Sequence, residues 1–320
     1  RVGERRVEEL PRSVRRRQLA RGREAPLADA LRRFQARHGL ETDAIVGRRT
    51  IAALNTPALL RARQIEANLE RLRWLPTHLG QRHLVVNIPD FKLVATEDSA
   101  PTLSMRVIAG RQTRRTPFFT GEITSILVNP PWTVPAKIAL EDKLPLILND
   151  REFLALAGFK VFARTGKAWR EIDPADVDWA RLPKKRFPYL LRQEPGPQNA
   201  LGRLKFQIPN RHDIYLHDTP SHGLFARADR AFSSGCIRVE RAVDLAARLL
   251  APDPAWTREK IEATIAAGET VSVPLKEPLP VYLLYVTAWV DPDGSLQFRE
   301  DVYGRDAALL EALASPLAPR

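Results

Sequence analysis

The chain holds one cysteine, Cys236, in the run Ser233-Ser234-Gly235-Cys236-Ile237-Arg238. A thiol in a Gly-containing turn, ahead of a helix expected near Glu240, is reachable by substrate. Backbone amides around Gly235 and Cys236 could then hold a thiolate or a tetrahedral oxyanion. Arg238 adds positive potential. The local pattern fits a buried structural cysteine equally well. A nucleophilic thiol needs a base within hydrogen-bond reach, and His217 is the best candidate. It ends the strand-like run "DIYLHD", in which Tyr215 and His217 face one side and Ile214 and Leu216 the other. Asp218 points away from His217 in an ideal strand, so a backbone carbonyl is the alternative group to orient the ring. His212 and His222 raise a zinc reading. His212 and His217 fall on opposite faces by parity, and no clear ligand spacing with a carboxylate accompanies them. The chemistry these residues suit is acyl transfer through a thioester, with no metal and no cofactor.

Composition narrows the classes. Lys plus Arg is 50 and Asp plus Glu is 38, a net charge of +12. Such a chain attracts polyanions: nucleic acid, an anionic membrane surface or an acidic wall polymer. No nucleic-acid recognition motif is present, and Walker and Rossmann glycine spacings are absent. A single cysteine excludes an intrachain disulfide framework and a four-cysteine zinc site. No window approaches 18 consecutive apolar residues, so no transmembrane segment is expected. No signal peptide is visible, which does not argue for the cytoplasm.

The elements that must position Cys236 and His217 read as an α+β chain. Residues 1–25 form a basic arm or part of an upstream region. Residues 26–76 carry helical spacing, with Gly39 placed to end the first helix and "ETDAIVG" as a turn. From 77 to 305 the period becomes strand-like, in "HLVVNIPDFKLVAT", "TLSMRVIAG" and "SILVNPPWTVP". Mixed text over about 141–195 reads as an insertion, whose Trp169, Trp179, Phe187 and Tyr189 supply apolar surface for packing or for substrate. Residues 306–320 read as a tail.

The stretch His217 to Arg238, together with "NPPWTVP" upstream, closely resembles the signature of the L,D-transpeptidase (YkuD-type) catalytic domain. The similarity is greatest to a large Gram-negative subfamily with a capping insertion, and it extends over most of residues 65–305. This resemblance implies a mainly-β catalytic domain with an inserted cap and a small N-terminal helical domain. "ADALRRFQARHGLETDAIVGRRTIAALNTP" is similar to a peptidoglycan-binding domain through Phe34, Gln35, Gly39, Leu40, Asp43, Gly47, Thr50, Leu54 and Asn55. The implied reaction is peptidoglycan synthesis by 3→3 cross-linking in the periplasm of a Gram-negative bacterium. The donor is a tetrapeptide stem and the acceptor a diaminopimelate-type amine. Carbapenem β-lactams are expected to acylate Cys236. Many members have histidine immediately before the Gly-Cys pair; Ser234 stands here, as it tends to in the large subfamily, so His217 acts alone as base. Ser233, Ser234, Tyr215, Trp132 and Arg238 are the expected substrate-binding residues. Arg238 faces either a substrate carboxylate or an internal one such as Glu240. Tyr215 and Trp132 line the cleft or pack. L,D-carboxypeptidase activity, attachment or release of a wall lipoprotein, and non-catalytic wall binding are the alternatives.

Overall fold

The computed structural model describes residues 25–183 and 186–315. The basic arm therefore lies outside the described residues, apart from Ala25. Three helices open the described residues: α1 (Ala25–Arg37), α2 (Arg48–Leu54) and α3 (Ala58–Arg73). The turn between α1 and α2 is organised by one buried side chain, Gln35. Its amide nitrogen donates to Asp43 Oδ1 and the Ile45 carbonyl, each at 3.0 Å, and its oxygen accepts the Ala44 amide at 2.9 Å. A buried amide with its groups partnered fixes a loop that has little apolar surface of its own.

Nine strands form the main sheet: β1 (Arg82–Asn87), β2 (Lys92–Glu97), β3 (Ala100–Gly110), β4 (Phe119–Val128), β9 (Leu204–Gln207), β10 (Leu216–His217), β11 (Ala231–Ser233), β12 (Ile237–Val239) and β13 (Val271–Leu284). Their order is β11-β3-β12-β10-β9-β4-β13-β1-β2, and β2 pairs again with β3, so the sheet closes into a barrel. Closure removes exposed edges. Alternation along β1 buries Leu84 and Val86. The inward residues of the other strands, including Val107, Ile126, Phe206, Leu216, Ile237 and Val239, complete one core. Helix α4 (Ala242–Leu250) adds Leu245, Ala246 and Leu249 to it, and α5 (Arg258–Ala267) adds Ile261.

A second, four-stranded sheet holds the inserted segment, in the order β5 (Trp132–Thr133), β8 (Leu190–Gln193), β6 (Phe159–Thr165), β7 (Ala168–Ile172). It begins earlier than the expected 141, because Trp132 and Val134 already belong to its separate core with Ile147, Leu154, Phe159, Val161 and Leu191. Tyr215 of the barrel packs against this core, so the insertion rests on the face that carries His217. Trp179, Phe187 and Tyr189 form an aromatic cluster within it, while Trp169 is exposed.

A hairpin, β14 (Ala288–Val290) and β15 (Leu296–Phe298), joins the barrel to the helices. Asn68 of α3 exchanges hydrogen bonds with Thr287, through Nδ2 to Oγ1 at 2.7 Å and from the Thr287 amide at 2.8 Å. Arg71 pairs with Asp306 at 2.6 Å, both side chains being well buried. Asp306 belongs to α6 (Arg305–Ala314), a helix in the segment read as a tail from its sequence.

Candidate active site

Cys236 does not stand at the start of a helix. Strand β12 follows it directly, and α4 begins only at Ala242. The strand Ile237–Val239 is drawn into the barrel because the β-branched Ile237 and Val239 fill its core. The helix expected near Glu240 starts two residues later, and the short strand before it separates the helix N-terminus from the thiol.

The barrel register sets the site. Strand β10 runs parallel to β12 with Leu216 beside Ile237 and His217 beside Arg238. The Ile237 amide donates to the Tyr215 carbonyl at 3.1 Å, which sets Tyr215 next to Cys236. Side chains alternate along strands. Tyr215, His217, Cys236 and Arg238 therefore share the face opposite the core. Strand β9 adds Lys205 beside His217 on that same face. On one face of a strand pair, a residue and the one two positions beyond its partner are diagonal neighbours. This is the relation of Cys236 to His217.

His217 is buried, with Nδ1 2.5 Å from the Asp218 carbonyl. That contact assigns the ring proton to Nδ1 and leaves Nε2 as an acceptor. The Asp218 carboxylate instead accepts the Arg203 amide at 2.9 Å. Burial, reinforced by Arg238, lowers the imidazole pKa to about 3, so His217 is a neutral base.

Cys236 is half-buried, and its sulfur lies 3.7 Å from the Asp213 carbonyl. Burial pushes the thiol up, while hydrogen bonds from the Tyr215 amide and hydroxyl and the charges of Lys205 and Arg238 oppose that rise. Burial likewise raises Tyr215, whose hydroxyl interacts with both Cys236 and Trp132 and stays protonated. Trp132 is buried in the core of the insertion, so it supports Tyr215 from behind.

The three expected residues before the thiol have distinct places. Ser233 is buried; its hydroxyl donates to the Cys236 carbonyl at 2.6 Å and accepts the Gly235 amide at 3.1 Å. Gly235 has φ +123°, a conformation rare for any residue with a side chain. Its carbonyl accepts from Thr116 Oγ1 at 2.7 Å. Ser234 is exposed, and its hydroxyl is 2.8 Å from Arg114 Nη1. Arg114 in turn pairs with Asp142 and Glu141 of the insertion, each at 2.5 Å.

Several side chains not singled out from the sequence complete the site. Lys205 Nζ lies 4.0 Å from the Tyr215 ring centroid. Lys143 of the insertion sits over the rings of Trp132 and Phe159 and close enough to Arg238 for the two charges to repel. Arg238 does not pair with Glu240, which is held by Arg106 through the Arg106 amide at 3.1 Å and Nε at 2.9 Å. Arg238 Nε is buried without a hydrogen-bond partner. The cleft is thus cationic around the thiol. His212 packs against Phe119 with the rings tilted by 45°, and His222 lies 3.7 Å from Asp218, so neither completes the Cys236 site. Asn129, from "NPPWTVP", donates to the carbonyls of Thr264, Ile265 and Glu269 and fastens the end of α5.

A closed barrel thus sets a thiol, a neutral imidazole and the side chains of Lys143, Lys205 and Arg238 on the side where the inserted sheet packs. The chain belongs to the L,D-transpeptidase catalytic domain family (YkuD), which it matches over residues 81–273. Residues 25–54 match a family described as "Putative peptidoglycan binding domain". A Haemophilus influenzae protein named "Putative L,D-transpeptidase" is 39% identical over 244 residues, which are 76% of this chain and 48% of that protein. The chain thus spans about half the length of that relative. Among solved structures, the catalytic domain of an E. faecium L,D-transpeptidase acylated by ertapenem is similar with a TM-score of 0.31. It has 10% identity, over 65% of this chain and 99% of that one. An L,D-transpeptidase from Mycobacterium smegmatis gives 0.29 and 10%, over 64% of this chain and 58% of its own.

Proposed function

We propose that the protein forms 3→3 cross-links between peptidoglycan stem peptides, outside the cytoplasm in the periplasm, through a thioester on Cys236. The observation that carries this reading is the shared face of Cys236 and His217, with the His217 Nδ1 tied to the Asp218 carbonyl. In the first step Cys236 leaves the Asp213 carbonyl, and His217 Nε2 accepts its proton. The sulfur attacks the carbonyl between the third stem residue and the terminal D-alanine of a tetrapeptide donor. The departing D-alanine amine takes the proton back from His217. In the second step the side-chain amine of a diaminopimelate-type acceptor attacks the thioester and gives a proton to His217; the C–S bond breaks as the amide forms, and His217 returns that proton to the departing Cys236 sulfur.

The Gly235 amide is taken up by Ser233, so the Cys236 amide and the Tyr215 hydroxyl are the donors assigned to the oxyanion. Ser233 and Gly235 shape the loop and do not touch substrate. Ser234 couples the loop to the insertion through Arg114. Arg238, with its unpartnered Nε, and Lys205 receive a donor carboxylate, and Lys143 closes over it from the insertion. Carbapenems acylate the same sulfur. The helical module over residues 25–54 holds the enzyme on its polymer.

Purified disaccharide-tetrapeptide is the decisive substrate. Dimers joined between the third residues of two stems, with D-alanine released in equal amount, are the expected product. Release of D-alanine with tripeptide alone would replace transfer with hydrolysis.

A further inference from the structure

A cavity of about 610 Å³ lies where the ends of α3 and α6 meet β4 and β13, and none of its lining residues belongs to the Cys236 site. Its walls are apolar, with Leu75, Leu283 and Leu309 among them, and no aspartate or glutamate lines it. Two exposed aromatics, Trp74 and Phe118, stack at its mouth with ring centroids 6.0 Å apart.

Three arginines line it: Arg71 is paired with Asp306, which leaves Arg115 and Arg305. Arg305 lies over the Phe118 ring at 5.0 Å and the Tyr285 ring at 5.5 Å, and its Nε is buried without a hydrogen-bond partner. Burial, with Arg115 and Arg71 nearby, disfavours the charge on Arg305. The acids near it are engaged elsewhere. Asp306 holds Arg71 and Thr287, and Asp301 accepts from the Tyr285 hydroxyl and the Arg305 and Asp306 amides. Arg115 reaches the same space from β4's approach, its Nε bonded only to the Gln112 carbonyl at 3.1 Å.

Apposed cations with open donors attract an anion, and apolar walls of this volume enclose a compact hydrocarbon or aromatic body. A bare inorganic anion leaves the walls wet, and a neutral hydrocarbon leaves the guanidiniums unanswered. We propose that this cavity binds a small monoanionic amphiphile, an aryl or acyl carboxylate or sulfonate. Its head meets Arg305 and Arg115, and its apolar body lies against Trp74, Phe118 and Leu309. This site is independent of the reaction assigned to Cys236.

Titration of the intact chain with 1-anilinonaphthalene-8-sulfonate, followed by fluorescence and calorimetry, tests it. One saturable site displaced by decanoate is expected. Arg305→Gln should weaken it by about tenfold or more, the loss of a charged hydrogen-bonded contact. Ala308→Trp, which fills the cavity, should abolish it with the melting temperature of the parent retained. Non-saturable binding, binding unchanged in both variants, or displacement by decyltrimethylammonium as readily as by decanoate would overturn the proposal. Sedimentation with phosphatidylglycerol vesicles without saturable decanoate binding would overturn it too, since it would assign the patch to a membrane surface.

Discussion

At the residue scale the account depends on which protons sit where. A neutral His217 and a thiol raised by burial mean that Cys236 waits as a protonated group. Its iodoacetamide alkylation should climb with pH on the alkaline side of the usual thiol range. Lys205→Met removes a nearby positive charge and should move that climb to still higher pH, with circular dichroism unchanged; an unmoved profile would dismiss Lys205 as an electrostatic partner. His217→Ala should lower the transfer rate by about 10²–10⁴, the span of a lost general base. Cys236, His217 and Tyr215 were legible because strand parity alone sets the latter two on one side. Lys205, Arg114 and Lys143 were not. They reach the site through pairing of β9 with β10 and through an insertion, and neither contact leaves a local pattern in the sequence.

At the element scale the loop before Cys236 is held from beneath. Thr116 donates to the Gly235 carbonyl, its hydroxyl accepts the Gly110 amide at 2.9 Å, and the Tyr303 hydroxyl donates to the Gly110 carbonyl at 2.6 Å. Gly110 admits no side chain there, since a Cβ would stand 2.2 Å from the Arg114 carbonyl. Thr116→Val keeps the volume but strands a buried acceptor, so unfolding free energy should fall by about 1–3 kcal/mol. Urea denaturation measures this, and turnover should fall with it. Asn68→Ala breaks the exchange with Thr287 and should cost a similar amount, again about 1–3 kcal/mol, without changing Cys236 alkylation. The helices of residues 26–76 and most strands were visible from periodicity, whereas α6 lies in the segment read as a tail. The strand after Cys236 was hidden because it is only three residues long and abuts an amphipathic helix, whose spacing reads back into it. Closure of the barrel by β2 and β3 is a long-range pairing that composition and period do not encode.

At the scale of the whole molecule, burial of neutral His217 links stability to pH. A histidine with its folded pKa below its unfolded value takes up its proton first in the unfolded chain. The stability it permits is complete above about 6.5 and is lost as pH falls toward about 3. Between pH 7 and 4.5 the parent should lose more stability in urea than His217→Gln does; equal losses would contradict a buried neutral imidazole. The +12 charge, read first as a preference for any polyanion, is partly local: the Cys236 cleft collects Lys143, Lys205 and Arg238. The central claim is that Cys236 carries the acyl group. Incubation with a disaccharide-tetrapeptide, acid quench and peptide mapping by mass spectrometry tests it most directly. The expected result is a disaccharide-tripeptide acyl mass on the peptide containing Cys236, absent in Cys236→Ser. An acyl group on any other residue, or cross-linking that persists in Cys236→Ser, would contradict it.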